Sequence, residues 1–214
     1  MNITMLGTGN AMVTECYNTC FVLEDGDKHL LVDGGGGNTL LRQLKQAGFD
    51  WKDMREIFVT HKHVDHLMGI IWMIRMICQN MKQGQYEGEA WIYGHDEVIS
   101  LLKDFAEKLY PAKQTCFIGD RLHLVVVNDG EERELMGHKT TFFDIQSTKA
   151  KQYGSAWIWE MARSLPAVEM SRTMNVRKNM PRTANGCFMR HSVSMTRQTF
   201  SSVREAPFHS QRRQ

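Results

Sequence analysis

IFVTHKHVDHLMGI, residues 57–70, runs from a β-branched apolar segment into an apolar helical one through six residues that hold three imidazoles and a carboxylate. The potential metal ligands are His61, His63, Asp65 and His66, a density that a solvated polar loop has no reason to carry. Imidazole nitrogens and a carboxylate suit zinc, manganese or iron(II). A strand end projects side chains into an open cleft, and the helix that follows fixes the backbone behind them. His61 and His63 alternate as strand residues do and can reach one ion together, while Asp65 and His66 lie past the bend and can face a second. Two ions close together can activate a water and stabilise charge on a phosphoryl or acyl oxygen. Lys62 and Val64 read as spacers.

Upstream, LLVDGGGG at residues 30–37 ends a strand on Asp33. An aspartate there can accept a hydrogen bond from a ligand histidine and orient it, and the glycines let the backbone pass close to the site. Strands are expected at residues 3–6, 19–24, 29–32, 56–60, 90–93, 122–127 and 139–145. Helices are expected at 38–47, capped by Asn38 and stopped by Gly48, at 67–81, and at 97–109, closed by Pro111. Several early strands are joined by tight turns, which implies mixed sheets covered by helices and not a doubly wound parallel sheet. Gly7-Thr8-Gly9 lacks the third glycine and the later acidic residue of a dinucleotide fingerprint.

The opening LGTGNA (6–11), the strand end VDGG (32–35) and THKHVDHLMGI (60–70), in that order, resemble the metallo-β-lactamase fold superfamily, whose signature is H-x-H-x-D-H. The likeness is greatest to its ribonuclease Z-like branch and covers residues 1–153. The resemblance implies an α/β (α+β) αββα sandwich and two zinc ions, with manganese or iron as substitutes. It also implies hydrolysis by a hydroxide bound between the two metals, with a phosphodiester in RNA or a nucleotide, including a cyclic nucleotide, as substrate. On the same grounds His61 and His63 bind the first metal, Asp65 and His66 bind the second, and Asp65 also accepts the proton of the attacking water. The family pattern then places a histidine before a serine at the end of a later strand. In FFDIQSTKAKQYG (142–154) that position is Gln146, whose amide oxygen is a poorer ligand. His138, eight residues upstream, reads as a turn histidine. The second half of the pattern, a Gly-Asp turn, a His-Glu pair and a final histidine, is missing from residues 154–214, and His191 and His209 stand in no matching context. A catalytically inactive or truncated homologue is therefore the alternative for this chain.

The formal net charge of +2 over 214 residues suggests neither a nucleic-acid nor a membrane partner, yet it conceals two unlike parts. Residues 155–214 carry nine Arg and one Lys against three Glu and no Asp, a net of +7, and residues 1–154 carry a net of −5. The tail has no sustained apolar period. It also lacks the aromatic interleaving and basic helical face of a nucleic-acid arm. Codons compatible with residues 157–175, read two nucleotides later, allow the missing Gly-Asp turn, and the same shift over residues 186–200 allows the missing His-Glu pair. The domain reading is thus a metallo-β-lactamase-like part at 1–153 and a basic tail at 154–214, out of frame or disordered. On that reading the chain exposes apolar sheet surface and is aggregation-prone. Five cysteines without metal-clip spacing, no basic start followed by an apolar core, and a longest apolar run, 67–78, interrupted by Arg75 imply a cytoplasmic protein with reduced thiols and no membrane span. A homodimer is compatible with this reading.

Overall fold

Short apolar alternations joined by tight turns begin the chain as an antiparallel meander. Strand β1 (Asn2–Gly7) pairs with β2 (Cys20–Asp25), and β2 pairs with β3 (Lys28–Val32) through a turn in which Gly26 takes a positive φ of 63°. From β3 onward the connections are helical crossovers, so the strands become parallel. These are β4 (Glu56–Phe58), β5 (Ala90–Gly94) and β6 (Leu122–Val126). The crossovers carry α1 (Thr39–Ala47), α2 (Val64–Lys82), α3 (Asp96–Leu109) and the single turn α4 (Ala112–Thr115). A second, antiparallel sheet holds β7 (Glu132–Leu135), β8 (His138–Asp144) and β9 (Tyr153–Ile158). The computed structural model describes residues 1–158 and, beyond them, only the backbone of β10 (Ser171–Arg172) and β11 (Met189–His191). The sheet orders are β11-β1-β2-β3-β4-β5-β6 and β10-β9-β8-β7.

Strand alternation divides the core in two. Leu31, Ile57 and Ile92 face the helices and join Leu40, Leu44, Ile70, Ile74, Ile77 and Leu102 in one buried cluster. Leu30, Val32, Phe58 and Tyr93 face the other way and meet Leu135, Phe142 and Tyr153 of the second sheet. Each fully buried Leu, Ile or Phe contributes roughly 1.5–3 kcal/mol, so both faces of the seven-stranded sheet are anchored. Among the described residues the layers run helix, sheet, sheet, and no described helix contributes to the second cluster.

Element boundaries depart from the sequence expectation where side chains take over backbone hydrogen bonds. Strand β4 stops at Phe58, not at residue 60, because the Thr60 amide is turned toward the Asp33 carboxylate. Helix α2 begins at Val64, three residues before the expected start, with Asp65 in its first turn, where a carboxylate suits the positive end of the helix dipole. Asn38 precedes α1 in a helical conformation and makes no side-chain capping bond, which corrects the expected cap, while Gly48 does end the helix in the left-handed region (φ 87°). Strand β7 escaped the sequence reading because Glu132, Arg133 and Glu134 are all exposed and show no apolar alternation. Strand β9 runs across position 154, where the charge balance changes. Apart from β10 and β11, the expectations placed on the tail lie outside the described residues. No described helix is long and apolar enough to cross a membrane. Cys20, Cys78 and Cys116 are free thiols.

Candidate metal centre

The carboxyl ends of the parallel strands bring Asp33, His61 and His95 to one edge of the sheet, after β3, β4 and β5 respectively. Asp33 adopts a left-handed backbone (φ 60°), uncommon for a residue with a side chain. That conformation is held by a web of hydrogen bonds. The Asp33 amide donates to Phe58 O (2.9 Å), and the Thr60 amide donates to Asp33 Oδ1 (2.8 Å). Asp33 Oδ2 receives the Thr60 hydroxyl (2.8 Å) and lies 2.7 Å from His66 Nδ1.

These contacts fix the tautomers of two histidines. The Thr60 hydroxyl has one proton and gives it to Asp33, so at 2.9 Å from His61 Nδ1 its oxygen must accept a proton from that nitrogen. A carboxylate can only accept, so His66 Nδ1 also carries its proton. In the neutral state both rings therefore present an unprotonated Nε2, the form in which imidazole binds a metal. The ring of His61 lies 4.1 Å from that of His66 and 4.7 Å from that of His63, centroid to centroid. Asp65 Oδ2 stands 3.5 Å from His66 Nε2.

The electrostatics separate the two rings. Burial is the main force lowering the pKa of His61 to about 4, helped by the neighbouring charge of His66. For His66 burial pulls downward too, but the hydrogen bond to Asp33 and the charges of Asp33 and Asp65 raise the pKa above the ordinary value. A buried neutral imidazole thus sits beside one that favours a proton or another positive charge. The donor set and its protonation fit a divalent cation. As they stand, no group of three or more His, Cys, Asp or Glu among the described residues is placed to hold an ion.

The backbone around the histidines is packed tightly. The Gly34 amide donates to His66 O (2.7 Å), and the Gly69 amide donates to Gly35 O (2.9 Å). A Cβ on Gly69 would collide with the Gly34 carbonyl, and one on Gly34 would collide with the backbone of Ile70. The glycine loop therefore seats directly on the first turns of α2, which carry Asp65 and His66. Of the expected spacers, Lys62 bonds Glu97 on α3 (2.7 Å) and Val64 is exposed.

The later position differs. Gln146 lies two residues beyond β8, exposed, with φ 53°, and its amide donates to Asp144 Oδ1 (2.8 Å). His138 is no turn histidine: it opens β8 and bonds Asp25 Oδ2 through Nε2 (2.7 Å), at the edge of the sandwich opposite Asp33. The backbone of His191 lies in β11 opposite Ile3, and His209 lies outside the described residues.

Three contributors were not singled out from sequence. Thr60 had a usable signal, a hydroxyl between the strand and the histidines. Tyr17 had none, because its partners are backbone atoms distant in the chain. His95 follows β5, is fully buried beside the Tyr153 ring, and its ring nitrogens make no hydrogen bond among the described residues, though Asp96 Oδ1 stands 3.5 Å from Nδ1.

Comparison with known proteins bears on this geometry. The family profile described as Anti-Pycsar protein Apyc1 matches residues 1–161. The Anti-Pycsar protein Apyc1 of Saccharibacillus brassicae is 34% identical over 70 residues, covering 33% of this chain and 28% of that protein. Ribonuclease Z of Thermococcus sibiricus is 30% identical over 106 residues, 49% of this chain and 33% of that enzyme. Among solved structures, the metallo-β-lactamase fold protein YhfI from Bacillus subtilis superposes with a TM-score of 0.57 at 19% identity, over 73% of this chain and 58% of that one. The matched part spans about a third of the length of these curated relatives. The fold is that of the metallo-β-lactamases, of the ribonuclease Z-like kind.

Proposed function

The chain belongs to the family described as Anti-Pycsar protein Apyc1, and from that premise we propose that its sheet-edge histidine cluster is the front half of a metal-dependent phosphodiester hydrolase site. The observation that carries this reading is the Asp33–Thr60–His61 and Asp33–His66 hydrogen-bond pattern, which places the proton of each neutral ring on Nδ1 and leaves two Nε2 lone pairs for a metal, in a cluster with His63 and Asp65. Bound divalent ions, zinc first and manganese or iron as substitutes, would make a water acidic near neutral pH and offset charge on the phosphoryl oxygens. His61 and His63 would hold one ion, and Asp65 and His66 would hold a second. Asp33 fixes the direction of His66 and, through Thr60, of His61. Asp65 accepts the proton of the water that attacks phosphorus. As the P–O ester bond breaks, it returns that proton to the departing oxygen. The related ribonuclease Z supports RNA or a nucleotide as substrate, and a small cyclic nucleotide fits the same bond chemistry. The reaction belongs to the cytoplasm, and a homodimer is compatible with it.

A second reading has its own support. Gln146 is exposed and stands where the ribonuclease Z-like pattern puts an imidazole, which favours a catalytically inactive homologue. One experiment separates them: metal analysis of the purified chain alongside hydrolysis of bis(p-nitrophenyl) phosphate, a 3′,5′-cyclic nucleotide and a short RNA. Turnover that needs added zinc or manganese and disappears in His63→Ala establishes the hydrolase. Retained metal with no turnover on any substrate establishes the inactive homologue.

A further inference from the structure

The glycine loop that carries Asp33 is gripped from two sides. On one side lie Gly69 and Ile70 of α2. On the other lies Tyr17, from the connection between β1 and β2. A Cβ on Gly35 would strike the Tyr17 ring, and Gly35 itself has a positive φ of 66°. The Tyr17 hydroxyl lies 2.8 Å from Gly34 O and 2.7 Å from Gly37 O, sharing its proton between the two carbonyls, and accepts the Gly37 amide at 3.1 Å. Gly34 is the residue after Asp33, and its amide bonds the carbonyl of His66. A continuous path of hydrogen bonds and one peptide unit therefore joins the Tyr17 hydroxyl to Gly34, Asp33 and His66. Burial keeps this phenol protonated well beyond its ordinary range.

We propose that Tyr17 is a positioning residue of the metal centre, its hydroxyl pinning the Gly34–Gly37 backbone so that Asp33 stays in its left-handed conformation and aims His66. This rests on the hydrolase reading for its purpose, but its geometry does not depend on bound metal. Without the hydroxyl, the Gly34 carbonyl and the Gly37 amide lose this partner and the Gly37 carbonyl keeps only the Leu40 amide (3.2 Å), while the aromatic ring still fills its place. Asp33 then keeps its bonds to Phe58 and Thr60 but loses the anchor on the loop that follows it, in an unfavourable backbone region, and the His66 Nδ1–H bond loosens. Tyr110 provides a matched comparison, because its hydroxyl donates to Ile71 O (2.6 Å) on α2 and not to an atom of the loop.

The test is imidazole-detected NMR on the full metal-free chain, following the His66 Nδ1 proton, assigned by its loss in Asp33→Asn. In Tyr17→Phe its exchange with water should rise at least about tenfold, or the signal should vanish, while Tyr110→Phe leaves it within about twofold of the wild type. Equal behaviour of the Tyr17→Phe and wild-type signals overturns the proposal, as does equal loss in both tyrosine variants. Should Tyr17→Phe not fold, 3-fluorotyrosine at position 17, nearly the same shape with a more acidic hydroxyl, must shift the His66 signal, and an unshifted signal overturns it. Failure of zinc to bind the wild type would count against the hydrolase reading alone and leave this result standing.

Discussion

The turn after β4 and the turn after β8 meet at one edge of the sandwich, where the Tyr153 amide donates to Thr60 O at 2.9 Å, yet they are built in opposite ways. After β4, the Asp33 carboxylate and the hydroxyl of Thr60 satisfy one another and two imidazoles inside a tightly packed shell. After β8, Gln146 is exposed and tethered only through its own backbone to Asp144. The difference shows that two imidazoles can be oriented by the packing of Asp33, Thr60 and the first turns of the following helix. The first turn needs nothing from beyond residue 70 to fix its tautomers. The second can become a ligand site only through the identity of one side chain.

Four changes test that contrast. The largest effect should come from Gly69→Ala, because the added methyl meets the backbone of Gly34, which has nowhere to yield. A loss of about 3 kcal/mol or more is expected, a fall in Tm of roughly 6–12 °C. Gly37→Ala, with open space around it, should stay within about 0.5 kcal/mol. Next, Thr60→Val keeps the shape but leaves Asp33 Oδ2 with His66 Nδ1–H as its remaining side-chain donor and strands His61 Nδ1, at a cost of about 1–3 kcal/mol. Nitrogen-15 spectra should then show His61 populating the Nε2–H tautomer, which the wild type excludes.

Gln146→His acts on the other turn. The position is exposed, and histidine tolerates a positive φ better than most residues. Denaturation should therefore be unchanged within about 0.5 kcal/mol, while the zinc Kd should fall about tenfold, equivalent to ~1.4 kcal/mol. Unaltered affinity would mean that this turn does not face the cluster.

The smallest effect concerns acid. His61 has its pKa lowered in the folded chain to about 4 by burial and by His66, whereas the unfolded chain takes up its proton near the ordinary value of about 6.5. Between those values the unfolded state holds more protons, so stability falls as pH drops through that window. His66 shifts upward and opposes this, so the fall in Tm between pH 7 and pH 5 is smaller than the His61 shift alone would give. His61→Asn should abolish the acid loss and leave the opposite contribution of His66.

The clustering of His61, His63, Asp65 and His66 near Asp33 was legible because their chemistry is concentrated in two short segments, and the parallel strands were legible from their apolar runs. Thr60 and Tyr17 were not, because their roles exist only once distant backbone atoms are brought beside them. The left-handed backbone of Asp33 is likewise invisible in a list of residues. Strand β7 was hidden by its charges, and the start of α2 was hidden because the ligand motif itself forms the first helical turn.

Zinc binding to the full chain, measured by titration with a fluorescent competitor chelator, tests most directly whether His61, His63, Asp65 and His66 form a metal centre. About one ion per chain or more should bind the wild type, with affinity reduced at least about a hundredfold in the His61→Ala/His63→Ala double variant. Equal binding by the two proteins would show that the imidazoles after β4 do not hold the metal.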